Sequence, residues 1–133
     1  MVRYLIVAHL TAESPELRRH VENIVQQDAS AEFTLLTPAT PASYWRAWDE
    51  MEAHADAERR ATGARASLAA AGANVTRTSI GAREPLAAIE DELREHADYN
   101  EIIICTFPAG VSRWLKLDLV THAFMIFFTT KTI

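Results

Sequence analysis

The sequence has one cysteine, four glycines and no concentration of positive charge, and each scarcity excludes something. Cys105 has no partner for an internal disulfide and no second thiol for a metal site, so a reducing cytoplasm is the expected setting. Lys and Arg number 13 against 18 Asp and Glu, a net charge of -5. With no basic face dense enough to neutralise phosphates, a nucleic-acid binder is not expected. The apolar part of MVRYLIVAHL is short and soon turns polar, which fits neither a secretory leader nor a membrane span. His20, His54, His96 and His122 show no metal-ligand spacing, and no metal is expected. No internal repeat is present.

What the chain does have is apolar residues in short, regularly placed runs. Hydrophobic residues are 49% and charged ones 23%, a globular balance, and 133 residues suit a single domain over 1–133. Tyr4 to Ala8 (YLIVA) is continuously apolar, as in a strand buried on both faces. Ser14 and Pro15 then supply an N-cap and a first-turn proline, and Leu17, Val21, Ile24 and Val25 recur at helical spacing. Glu32 to Thr37 (EFTLLT) reads as a second strand, closed by Pro38 and Pro41. A long helix is expected from near Ser43 through Trp45, Trp48 and Met51 to Ala71, with Gly63 as a weak point and Gly72 as its stop. Asn74 to Ile80 alternates apolar and polar side chains, as at the edge of a sheet, and Gly81 ends it. Pro85 opens another helix with Leu86, Ile89 and Leu93 inward and Glu90, Asp91, Glu92 and Glu95 outward.

The stretch from Glu101 to Trp114, EIIICTFPAGVSRW, organises the rest. Ile102 to Cys105 is a second doubly buried strand, broken by Thr106, Pro108 and Gly110. Gly110, Val111 and Ser112 offer free backbone N–H groups and a helix cap, and Arg113 adds a cation, which is the chemistry of an anion cradle. A short helix near Ser112 to His122 and a last apolar run, Phe124 to Phe128, complete the chain. Strands alternating with helices imply right-handed crossovers, hence an α/β fold: a three-layer open sheet of five parallel strands in the Rossmann-like order 3-2-1-4-5. Ligands of such sheets lie beyond the carboxyl ends of the strands at the switch point, here between strands one and four. That sets His9, Leu10 and Thr11 opposite Thr106 to Arg113, with Thr37 at the end of the second strand.

YLIVAHLTAES, TSIGAREPLAAIEDEL and EIIICTFPAG, in this order and at these lengths, resemble the universal stress protein family, and the resemblance covers most of the chain. It implies an adenine nucleotide alpha hydrolase-like fold and a cytoplasmic homodimer. Members that bind ATP carry an aspartate after strand one and a glycine-rich loop after strand four. Here His9 and Leu10 stand at the aspartate and the glycine after it, only Gly110 remains of the loop glycines, and Leu117-Asp118 replaces glycine-serine. A Cβ blocks close approach of backbone to phosphate, and Asp118 would repel it. The resemblance therefore implies a non-enzymatic binding or signalling protein of the stress response with a degenerate ATP site. The alternative it leaves is a genuine ATP or AMP binder, with slow hydrolysis, using His9, Leu10, Thr11, Thr37, Thr106, Gly110, Ser112 and Arg113. A third reading, a nucleotidyl-transferring enzyme, lacks its histidine-x-glycine-histidine signature in AHLTAES; a fourth is a purely structural dimer module.

Each candidate also has a plain structural reading. His9 can hydrogen-bond a base or ribose, or simply cap a strand. Ser112 and Arg113 can hold an anion, or be a cap and a solvated cation. Tyr44, Trp45 and Trp48 have the spacing of core or interface packing, and Cys105 reads as a small buried hydrophobe. No constellation of general acid, base and nucleophile is visible, so no catalytic residue is named. Phe124 to Phe128 on an edge strand would be an aggregation hazard if bare, so it is expected to pair across a two-fold axis in a homodimer.

Overall fold

The apolar runs become the middle of a parallel sheet, because a strand with side chains buried on both faces needs helices above and below it. The computed structural model describes residues 2–9, 12–39, 50–105 and 129–132. In chain order the elements are β1 (Arg3–Ala8), α1 (Pro15–Gln27), β2 (Glu32–Pro38), α2 (Glu50–Ala70), β3 (Asn74–Gly81), α3 (Pro85–Glu95), β4 (Glu101–Cys105) and β5 (Thr129–Thr132). The sheet order is β3-β2-β1-β4-β5, with every pairing parallel. The parallel α/β architecture and the order 3-2-1-4 of the first four strands agree with the sequence. The fifth position differs: β5 is Thr129–Thr132, beside β4, while the Phe124 to Phe128 run expected there lies outside the described residues.

Alternation along the strands sorts the core into two layers. Ile6, Ala8, Phe33, Leu35 and Ile103 pack with Leu17 and Val21 of α1 and Ala61, Ala64 and Leu68 of α2. Leu5, Val7, Leu36, Ile102 and Ile104 face Ala88 and Ile89 of α3. Full burial of one such Leu or Ile side chain contributes about 1.5–3 kcal/mol.

The helix ends follow the local rules. Ser14 Oγ accepts from the Leu17 N–H at 3.3 Å, and Pro15 takes the first helical position. α2 runs unbroken through Gly63; the part expected from Ser43 to Asp49 lies outside the described residues. Ala53, Ala57, Ala61 and Ala64 form its buried face, so the helix axis comes close to the sheet. Its stop is Gly72, at φ 95°, with the Ala73 N–H bonded to the Leu68 carbonyl at 3.0 Å and the Gly72 N–H to that of Ala69 at 3.0 Å.

Gly81 is required for a different reason. A Cβ there would lie 2.5 Å from Ala88 Cβ, so its absence lets α3 close on the end of β3.

Two departures concern charge. A register shift opposite Phe33/Thr34 breaks the alternation of β3: Val75 faces the α1/α2 layer, yet Arg77 comes out on the α3 layer. Glu92, expected outward with the other acids of α3, is buried at 4% exposure. It sits three residues after Ile89 and four after Ala88, on the inward stripe, where Arg77 Nη2 and Tyr99 OH donate to its Oε2, the latter at 2.7 Å.

Candidate functional site: the carboxyl edge of the sheet

Parallel strands present all their carboxyl ends on one side, so β1 and β2 deliver the residues that follow them to a common edge. β1 delivers His9, which is 3% exposed. β2 delivers Thr37, fully buried and next in register after the Val7–Leu36 pair. β4 ends there in Cys105, whose Sγ lies 3.7 Å from Ser14 Oγ at the start of α1.

α2 supplies the charge. Asp56, with its side chain 10% exposed, places Oδ2 3.5 Å from His9 Nε2. The same oxygen accepts from Arg60 Nε at 2.9 Å, and Oδ1 accepts from Arg59 Nη2 at 3.3 Å. Acid and bases at i, i+3 and i+4 share one side of a helix, which is why a single carboxylate reaches both guanidiniums. The His9–Asp56 contact falls short of a hydrogen bond, so His9 Nε2 has no hydrogen-bond partner among the described residues, and neither has Thr37 Oγ1.

Burial pushes the His9 imidazole below its ordinary value of 6.5, and Arg60 pushes the same way, against the opposing pull of Asp56. At neutral pH the ring is uncharged. The edge thus offers a neutral imidazole and a hydroxyl, both buried, beside a carboxylate already ion-paired to two arginines. Such groups can orient a polar ligand by hydrogen bonds.

Of the residues named from sequence, His9 and Thr37 are brought together. Leu10, Thr11, Thr106, Gly110, Ser112 and Arg113 lie outside the described residues, as do Tyr44, Trp45 and Trp48. Asp56, Arg59 and Arg60 were not anticipated. Their spacing announces an intrahelical cluster, but nothing in the sequence says that its acid faces His9. No group of His, Cys, Asp and Glu among the described residues is arranged to hold a metal ion.

An open parallel sheet with helices on both faces defines a protein of the doubly wound class, whose ligands as a rule lie beyond the carboxyl ends of the strands. Within that class the chain has the fold of the universal stress proteins. It superimposes on one from Archaeoglobus fulgidus with TM-score 0.59 at 15% identity, covering 100% of this chain and 92% of the other. For the universal stress protein UspA of Lactobacillus plantarum the values are 0.53, 15%, 99% and 95%. For a universal stress protein family member from Burkholderia pseudomallei they are 0.65, 15%, 98% and 94%. No protein-family model and no curated protein matches the sequence.

Proposed function

We propose that the chain is a universal stress protein-like binding or signalling protein of the stress response, non-enzymatic, with a degenerate ATP site at the carboxyl edge. One observation carries this reading: Asp56 stands at that edge, 3.5 Å from His9, and engages both Arg59 and Arg60. A fixed carboxylate repels a polyphosphate, and it offsets the charge of the two guanidiniums that it holds. Weak or absent ATP binding is the consequence. Calorimetric titration with ATP and with AMP tests it: the expected dissociation constants are about 1 mM or weaker, tightening when Asp56→Asn removes the carboxylate. Micromolar ATP binding by the unaltered chain overturns the reading.

The second reading, a genuine ATP or AMP binder with slow hydrolysis, is favoured by a separate observation, the buried His9 Nε2 and Thr37 Oγ1, which have no hydrogen-bond partner among the described residues. Two such atoms at one edge of the sheet suit a bound base or ribose. Adenine nucleotide released from freshly purified protein in native mass spectrometry supports this reading over the first. The same spectrum reports the proposed homodimer through Phe124 to Phe128; a monomer at micromolar concentration removes it. Among the described residues no helix is long and apolar enough to cross a membrane, and a cytoplasmic setting belongs to the proposal.

A further inference from the structure

The opposite, amino edge of the sheet carries a cleft of about 240 Å³ between the starts of β1, β2 and β3 and the segment after α3. Its walls are charged and held from behind. Arg77 Nη2 is fixed by the buried Glu92, and Tyr99 OH, 3.5 Å from the same nitrogen, shares that carboxylate. No described residue accepts from Arg77 Nε or Nη1. Across the cleft Arg3 is paired with Asp98, and Asn100 clamps the Arg3 backbone with bonds of 2.8 and 2.7 Å. Glu32, its side chain 23% exposed, has only a 4.0 Å contact with the Arg3 Nε, beyond hydrogen-bond range.

A guanidinium and a carboxylate, each with unused valence, therefore border one cleft. Thr34 pairs with Arg77 across the two strands, and Glu32 lies two residues before Thr34 on the same face of β2. Strand spacing and rise place the Arg77 and Glu32 Cα atoms roughly 8 Å apart on the diagonal. Two long side chains at that separation would normally join. They do not, because Glu92 and Tyr99 draw Arg77 toward α3, and the gap between them is the cleft. The lining acids Glu32 and Asp98 match in number the lining guanidiniums of Arg3 and Arg77, so the cleft suits a ligand that carries both signs better than a simple anion.

We propose that the amino-edge cleft is a binding site for a small zwitterion of the amino-acid class, its carboxylate on the unused N–H groups of Arg77 and its ammonium on Glu32. With Nη2 held by Glu92, the unused N–H groups of Arg77 on Nε and Nη1 are left to donate to a carboxylate, and a half-buried carboxylate without a close partner receives an ammonium. This site is separate from the carboxyl edge and does not depend on what binds there.

The test is titration of the whole chain with L-alanine, followed by amide chemical shifts, with acetate and methylammonium as probes that each carry one of the two charges. Saturable shifts centred on Glu32, Arg77 and Tyr99 are expected with alanine, and binding at least about tenfold weaker with either single-charge probe. Glu32→Gln, which leaves the Glu92 network untouched, weakens alanine binding about tenfold, and Arg77→Lys does the same or more. Absence of saturation by alanine at millimolar concentration overturns the proposal. So does acetate binding as tightly as alanine, which would make the cleft an anion site, or full alanine affinity in Glu32→Gln.

Discussion

At the amino edge of the sheet, a buried acid is matched by donors on two sides: Glu92 receives Arg77 and Tyr99. At the carboxyl edge, buried polar atoms are left with no hydrogen-bond partner among the described residues: His9 Nε2 and Thr37 Oγ1. The first arrangement is complete without a visitor and serves to fix a guanidinium in place. Among the described residues the second leaves bonds unmade, each worth about 1–3 kcal/mol to whatever group completes it. The same sheet thus separates a scaffolded charge at one end from an unmatched pair at the other.

Arg77→Ala is the strongest way to break this contrast. It strands the Glu92 carboxylate in an apolar layer and is expected to destabilise by about 3–5 kcal/mol in urea unfolding, whereas Arg77→Met combined with Glu92→Leu recovers most of the loss. Should the single change be harmless, the amino edge is no better matched than the carboxyl one. Next comes Gly81→Val, which drives a side chain into Ala88 and is expected to lower stability by about 1–3 kcal/mol, read from the thermal midpoint.

Thr37→Val sharpens the contrast from the other side. Replacing an unpartnered buried hydroxyl by a methyl leaves the ligand-free protein as stable or up to about 1 kcal/mol more so, while weakening whatever ligand uses that oxygen. A clear loss of stability would show that the hydroxyl is already satisfied.

The smallest effect is the pH dependence carried by His9. Its folded value lies below 6.5, so the unfolded chain takes up the proton first. The stability contributed by neutral His9 is full above about pH 6.5 and is lost as pH falls through the folded value. Urea midpoints compared between about pH 7.5 and 5.5 should fall more steeply for the unaltered chain than for His9→Gln.

The elements were readable in the sequence where one local rule acted alone. YLIVA and IIIC could only be doubly buried strands, Ser14-Pro15 could only start a helix, and Gly72 sits where the helix needs a left-handed residue. The charged interior was not readable, because it depends on partners remote in sequence. Glu92 looks like one more acid on an acidic helix until the bulge in β3 turns Arg77 toward it. Asp56 looks like a surface ion pair with Arg59 and Arg60 until α2 is laid against the end of β1. The places of His9 and Thr37 at the carboxyl edge follow from topology alone, since that edge of a parallel sheet is fixed once the strand order is known. The strand expected at Phe124 to Phe128 lies outside the described residues, and the described β5 is the polar TTKT that follows, which carries no apolar signal of its own.

The pairing at the centre of the sheet also has a consequence during synthesis. β1 meets β4 through residues such as Arg3 and Asn100, 97 positions apart. At translation rates of about 5–20 residues per second, that side of β1 waits roughly 5–20 s for its neighbour. β2 and β3 are made first and can dock on the other side, so the nascent chain passes through a half-sheet whose apolar margin is open to other chains emerging nearby. The strand that completes the middle of the sheet leaves the ribosome well after β1, β2 and β3, and until it arrives that apolar margin is an exposed edge.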